Sequence, residues 1–431
     1  MASKCLFVNP LRNGKTLVSY FKERGQEVYV LIEVEKIREI LKGEISQGDK
    51  QEFDRAYYKE CFTDISQVLE SGIDFDFVIP AGEAGVESSD ILTHKLGLVG
   101  NDYATTHYRR DKFVMQEQLR LHGLSYAKSM LIDLSMGKQL SAESLKDFSF
   151  PVVLKPAYGT GTQEVFYCDS LEDVNSRLEH IDYRSYNWTF SETTHFVVQE
   201  FLEGHEYGLD YVVHENVPYV CVVSRYYKNF KVDNKNIRTE VIFFSPDDPK
   251  HESLIEYGKK VLHALEVKNG AAHLEFISNG SEHYMIDLGA RMRGGGYTSH
   301  DEQVYSIGLL EAIYDKYINN GQNLKDSVLL RHGIYSALNA SKGGIFQGLS
   351  SSEKERLARL PLLKEFKLDL QINQPYERTI DLMSSKGVAK IIGEDREEVV
   401  HTAREIYLIL ENHLGDWYQN IPEYLESCNP K

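Results

Sequence analysis

Short apolar runs alternate with amphipathic stretches over the first hundred residues. Residues 5–9, 27–32 and 76–80 are apolar runs of strand length. Between the first two, residues 14–25 place Leu17, Val18 and Phe21 on one helical face and stop at Gly25. Residues 88–96 read as a helix after the loop 81–85. This strand–helix–strand rhythm predicts a small parallel sheet. Further along, residues 109–122 read as a charged helix ended by Gly123. Residues 150–155 and 196–202 read as strands, and 207–214 and 219–224 as an antiparallel pair around the turn 215–218. Residues 254–265 form a helix. A third block begins after about residue 319, with strands near 334–339 and 389–392 and a helix over 397–414. The chain has no internal repeat and no low-complexity segment.

The length, 431 residues, suits two or three domains. No apolar run reaches the length of a membrane span. The first residues read as a strand rather than a signal peptide, so the cytoplasm is the expected compartment and no membrane partner is expected. The five cysteines are scattered, without metal-ligand or C-x-x-C spacing, which argues against a disulfide framework or structural zinc. A net charge of −17 disfavours nucleic acid as a partner, because phosphate contacts need a basic surface. Gly14-Lys15-Thr16 imitates a phosphate-binding P-loop. The full pattern needs glycine at position 9, where Asn9 stands, and Pro10 removes an N–H from the loop. Gly14 reads better as a helix start.

Four separated pieces suit one task, holding a triphosphate against metal ions. The first is a pair of lysines: Lys112 at the start of a helix, and Lys155 at the end of a strand. Each alone equally suits a solvated surface lysine; together they suit phosphate neutralisation. The second is Tyr158-Gly159-Thr160-Gly161-Thr162. Its glycines free the backbone to approach an anion, and its hydroxyls add donors. It equally suits a hairpin turn. The third is Gln199-Glu200-Phe201-Leu202, where a strand end offers backbone groups to an adenine edge and apolar side chains to its faces. Glu206, just beyond, suits ribose hydroxyls.

The fourth piece is the most informative. Strand alternation puts His273 and Glu275 on one face, and Asp287, Gly289 and Arg291 on one face of the following strand. Glu275 and Asp287 face the same side if the connecting loop has an odd number of residues; a two-residue Asn279-Gly280 turn would put them on opposite sides. An odd loop is expected. Two carboxylates on one face are hard oxygen ligands for Mg²⁺, with Mn²⁺ as the alternative ion. Arg291 beside them suits stabilisation of a transferring phosphoryl group or acyl phosphate. Two solvated acidic residues on an exposed sheet face would share this spacing.

In this order the pieces resemble the ATP-grasp superfamily, over roughly residues 108–296. The resemblance implies an α/β (α+β) ATP-grasp fold. A small parallel N-terminal domain would span 1–107, and the core 108–325, with a nucleotide lid at about 125–197. A C-terminal α+β domain would span 326–431. Lys112 and Lys155 would bind ATP, and Gly159, Thr160, Gly161 and Thr162 would form the flexible loop. Gln199, Glu200, Phe201 and Leu202 would meet adenine, and Glu206 ribose. Glu275 and Asp287 would bind metal, with Arg291 catalytic. The family's usual Glu-x-Asn-x-Arg reads here Asp287-Leu-Gly289-Ala-Arg291, so the Asn ligand of the second ion is missing and water is expected in its place.

The variant running through Arg291, Arg293, Gly294 and Gly295 is similar to bacterial L-amino-acid ligases, as is the loop around Glu83. That resemblance implies amino-acid-like carboxylate and amine substrates, an acyl-phosphate intermediate, and a homodimer. It assigns Glu83 to a substrate amine, and His273, Arg293, Gly294 and Gly295 to substrate binding. His273 equally suits a structural role on its strand. An ATP-grasp carboxylase or purine-pathway ligase, and a non-catalytic nucleotide-binding protein, are the competing readings.

Overall fold

The computed structural model describes residues 2–11, 13–33, 58–160, 164–187, 189–228, 230–232, 235–381 and 384–416. The first sheet contains β1 (Lys4–Val8), β2 (Glu27–Leu31), β3 (Cys61–Phe62) and β4 (Phe77–Pro80), all parallel, in the order β3-β2-β1-β4. Its strands are apolar runs buried on both faces, as parallel pairing requires. The helix Gly14–Glu23 buries Leu17, Val18 and Phe21 against it, and the ring of Phe21 meets Phe7 edge-on at 5.2 Å. Gly14 fits where a side chain would not: a Cβ there would lie 2.5 Å from the Ala81 carbonyl oxygen. The P-loop look-alike is therefore a packing glycine.

A second, antiparallel sheet is built from β5 (Ser129–Asp133), β6 (Val152–Pro156), β7 (Phe166–Cys168) and β8 (His195–Glu200), in the order β5-β8-β6-β7. The helix Leu171–Glu179 covers it with Val174 and Leu178.

The third sheet has eight strands. They are β9 (His205–His214), β10 (Val217–Tyr227), β13 (Glu240–Phe244), β14 (Gly270–Ser278), β15 (His283–Gly289), β16 (His332–Ala337), β18 (Leu363–Leu368) and β20 (Gly387–Gly393). A hairpin of β11 (Phe230–Val232) and β12 (Lys235–Ile237), and the pair β17 (Gly344–Ile345) and β19 (Pro375–Tyr376), stand outside it. The order is β15-β14-β9-β10-β13-β16-β20-β18. Strands from beyond residue 331 thus continue the sheet that begins at β9, joined through β13 pairing with β16. The sequence reading missed β13, although Glu240-Val-Ile-Phe-Phe is a short buried run of strand type.

Three helices fix the pieces around the site. Glu252–Ala264 and Lys112–Leu121 pack on one face of β9, β10, β14 and β15, sharing a core with Tyr211, Phe276 and Met285. Leu309–Ile318 fills the space between the first and third sheets, with Tyr314 edge-on to Phe21 at 5.0 Å and Tyr317 edge-on to Phe77 at 5.4 Å. That packing brings the loop after β4, with Glu83, to the end of β15. Among the described residues, no helix is long and apolar enough to cross a membrane.

Candidate active site

Glu275 and Asp287 are direct cross-strand partners on β14 and β15. The expected odd loop is not how they meet. Ser278 pairs with His283, leaving the four residues Asn279–Glu282 in the loop, an even number. Parity is restored inside the ladder: Phe276 pairs with Met285, so Ile286 is an extra residue in a bulge. The bulge also leaves the Ile286 carbonyl free to accept from the Lys155 ammonium at 3.1 Å.

The lysines converge on the same place. Lys112 opens its helix, whose N-cap Asp111 accepts from the Phe113 and Val114 amides. The Gln116 side chain anchors that helix to β15 by donating to the Met285 carbonyl at 2.9 Å. Lys112 Nζ is then 2.8 Å from Asp287 Oδ1 and donates to the Gly159 carbonyl at 3.0 Å. Lys155 crosses from β6 and also donates to Gln199 Oε1 at 2.9 Å. Burial, then the charge of Lys112, push the Lys155 pKa down to about 8.

Glu275 is held ionised. Burial alone would raise the Glu275 pKa, but His273, Lys228 and Arg238 outweigh it and bring it to about 2. His273 stands between Asp210 (Nδ1 to Oδ1, 2.9 Å) and Glu275 (Nε2 to Oε1, 3.5 Å), with the Tyr226 hydroxyl 3.2 Å from Nε2. Burial would lower its pKa; Asp210 first and Glu275 next raise it to about 8. The Glu275 and Asp287 side chains each keep 31% of their surface open. Two open hard-oxygen groups side by side fit a divalent cation.

Several expected residues take other partners. Glu83 lies between two guanidiniums, with Arg291 Nε 2.9 Å from one oxygen and Arg110 donating to the other at 2.7 Å. Burial works against its ionised form, and Arg291, then Arg110, hold its pKa below the usual value. Its carboxylate thus orients Arg291 rather than standing open for an amine. Arg293, expected at a substrate, is fully buried instead. It is 3.1 Å from Asp210 Oδ2 and pairs with Asp301. An unpaired guanidinium at such depth would be costly, and these two carboxylates neutralise it. Gly294 and Gly295 lead into Tyr297, and Gly295 takes a positive φ of 93°. A Cβ there would lie 2.3 Å from the Tyr297 ring, so the position is set by packing.

Protein side chains crowd the place beside Gly289. A Cβ at 289 would lie 2.7 Å from Arg291 Cζ and 3.0 Å from Glu83 Oε2. The missing Asn and the Arg291–Glu83 pair are therefore one feature.

The strand carrying Gln199 ends at Glu200, whose Oε1 accepts from the Lys128 amide at 2.7 Å. Phe201 and Leu202 follow beyond the ladder, and the exposed Phe201 ring meets Tyr167 at 5.9 Å. Glu206 pairs with Lys228 at 2.5 Å. Gly159 and Thr160 follow β6; Gly161 and Thr162 lie outside the described residues. The sequence reading did not single out Arg110, Asp210, Lys228 or Arg238. Arg110 was visible next to Lys112, whereas Lys228 and Arg238 sit on separate sides of a hairpin that only pairing brings together.

A family model described as "ATP-grasp domain" matches residues 148–301, the stretch holding both carboxylates, Lys155, Gln199 and Arg291. The chain carries an ATP-grasp domain over this stretch. It is similar to dapdiamide A synthase of Enterobacter agglomerans, 25% identical over 345 residues, covering 76% of this chain and 78% of that protein. It is also similar to the L-arginine-specific L-amino acid ligase of Bacillus subtilis, 22% identical over 316 residues, covering 71% and 74%. The fold matches the crystal structure of an L-amino acid ligase from Bacillus licheniformis with a TM-score of 0.70 at 15% identity, over 94% of this chain and 96% of that one. The cations Lys112 and Lys155 and the carboxylates Glu275 and Asp287 meet at the paired strands β14 and β15 of that domain.

Proposed function

We propose that this ligase joins the carboxylate of an amino-acid-like substrate to the amine of an amino acid through an acyl phosphate, releasing ADP and phosphate. The pairing of Glu275 with Asp287, ringed by Lys112, Lys155 and Arg291, carries the reading. Glu275 and Asp287 are the residues to hold Mg²⁺ or Mn²⁺, which when bound neutralises phosphate charge.

In this mechanism Lys112 and Lys155 hold the phosphates, leaving Asp287 and Gln199 for other partners. Gln199 to Leu202 receive adenine and Glu206 the ribose. A carboxylate oxygen of the first substrate attacks the γ-phosphorus, and the bond to the β-phosphate oxygen breaks, releasing ADP. The amine of the second substrate then attacks the acyl carbon. The C–O bond to phosphate breaks, phosphate leaves, and the nitrogen loses a proton to give the amide. Arg291, fixed by Glu83, neutralises the negative charge of both steps. His273, tied to Asp210, orients Glu275. The sheet β5-β8-β6-β7 serves as the lid, and the loop from Gly159 to Thr162 as a flap that keeps water off the mixed anhydride. We extend the reading to three domains, 1–107, 108–325 and 326–431.

The test is ADP release from the full chain, screened over amino-acid pairs, with the product mass measured. ADP formed only when both a carboxylate and an amine are present, with a dipeptide mass, supports the reading. Dependence on bicarbonate instead of an amino acid would overturn it.

A further inference from the structure

Among the described residues, Arg238 is a cation without an acceptor. Its guanidinium lies over the Tyr226 ring at 4.7 Å and the Tyr297 ring at 5.3 Å. Among the described residues, its side chain makes no hydrogen bond or ion pair. The nearby carboxylates are already engaged: Glu206 by Lys228, and Glu275 by His273. The backbone around it is fixed. Asn339 Nδ2 donates to the Arg238 carbonyl at 3.1 Å, and the Thr239 amide donates to the Tyr227 carbonyl at 2.8 Å. The two rings are well held too. Tyr226 meets His273 through its hydroxyl, and Tyr297 packs edge-on against Tyr335 at 4.6 Å.

A guanidinium stacked on aromatic rings keeps its in-plane N–H fork available, and that fork matches a carboxylate. Stacking restricts the side chain before any ligand arrives, so less freedom is lost on binding. The Tyr226 hydroxyl beneath it is 3.2 Å from His273 Nε2, itself 3.5 Å from Glu275 Oε1, which places Arg238 beside the carboxylate pair rather than at a distant surface. Lys112 and Lys155 already serve the phosphate side, donating to groups on and around β15.

We propose that Arg238, held against the Tyr226 and Tyr297 rings, binds a substrate carboxylate by a two-pronged contact and so selects amino acids over their uncharged analogues. The inference rests on the ligase reading and names a specificity residue for it. The carboxylate belongs either to the acyl donor before it reacts or to the amine-bearing substrate, where it stays unreacted.

The experiment compares the wild type with Arg238→Met and Arg238→Lys, the second keeping charge without the fork. Free amino acids and their amides are titrated in the presence of ADP and Mg²⁺, and binding is read as a thermal shift. The wild type should prefer acids over amides, and Arg238→Met should lose that preference. Steady-state KM values then locate the carboxylate: a rise of roughly 10- to 100-fold for one substrate, with kcat and the ATP KM little changed, matches the loss of one charge-assisted contact. A rise for the acyl donor assigns Arg238 to that substrate, and a rise for the amine substrate assigns it to the other. An acid preference retained in both variants, absent in the wild type, or a change in the ATP KM alone, would overturn the proposal. The binding measurement does not depend on amide formation. Wild type that binds acids selectively but yields no amide removes the ligase reading while leaving Arg238 as a carboxylate site.

Discussion

The Lys155 ammonium donates to the carbonyl of Ile286, the residue left over in the bulge between Glu275 and Asp287. One irregularity in a two-stranded ladder thus does two things. It turns both carboxylates to one side, and it supplies an acceptor that draws a lysine from another sheet to their edge.

That lysine should make nucleotide binding sensitive to alkaline pH. Its pKa is lowered to about 8, while bound phosphates favour the charged form. ATP binding should therefore take up a proton above pH 8, and affinity should fall as pH rises. Calorimetry in buffers of different ionisation enthalpy measures the uptake. Lys155→Met should abolish it and lower turnover by about 100-fold, the scale of removing one preorganised donor, with the fold retained. Unchanged uptake in the variant would remove Lys155 from the site.

Glu275→Gln keeps the shape of the side chain and removes its charge. Turnover should need far more Mg²⁺ or Mn²⁺, measured well below the melting temperature of the variant. A metal titration of ADP release checks it, and an unaltered requirement would exclude Glu275 as a ligand.

Gly289→Asn restores the residue common in the family. Because the Arg291 guanidinium fills that space, the added side chain should displace it from Glu83. We expect kcat to drop by roughly 100-fold without a gain in metal affinity. Tighter metal binding at full rate would show that the Arg291–Glu83 pair yields freely.

His273 should shape stability near neutral pH. Its folded pKa, about 8, lies above its unfolded value of 6.5. The stabilisation is full below pH 6.5 and is lost as pH rises through 8. A shift of this size is worth about 2 kcal/mol. Thermal melts from pH 6 to 9 should fall over that window in the wild type and flatten in His273→Gln. Parallel curves would assign the titration elsewhere.

Local pattern carried much of this molecule. Apolar runs and helical periodicity were enough for the parallel first sheet, for the helix over Lys112–Leu121, and for β9, β10, β14 and β15, because mostly buried strands read as apolar runs and the helix repeats its burial at the period of its backbone. The two lysines and two carboxylates were candidates by residue type and spacing, and the fold brings them together.

What local pattern cannot carry is register and long-range pairing. The bulge at Ile286 has no signature of its own, so the loop parity was misjudged although the facing carboxylates were right. Arg293 and Glu83 looked like site residues by position. Their partners come from elsewhere in the chain: Asp210 and Asp301 for the first, Arg110 and Arg291 for the second. Residue types along the chain marked the charges that could handle a triphosphate. Only the tertiary structure decided which charges remain open to ligands, because a buried charge is neutralised by whichever residue the fold brings within reach.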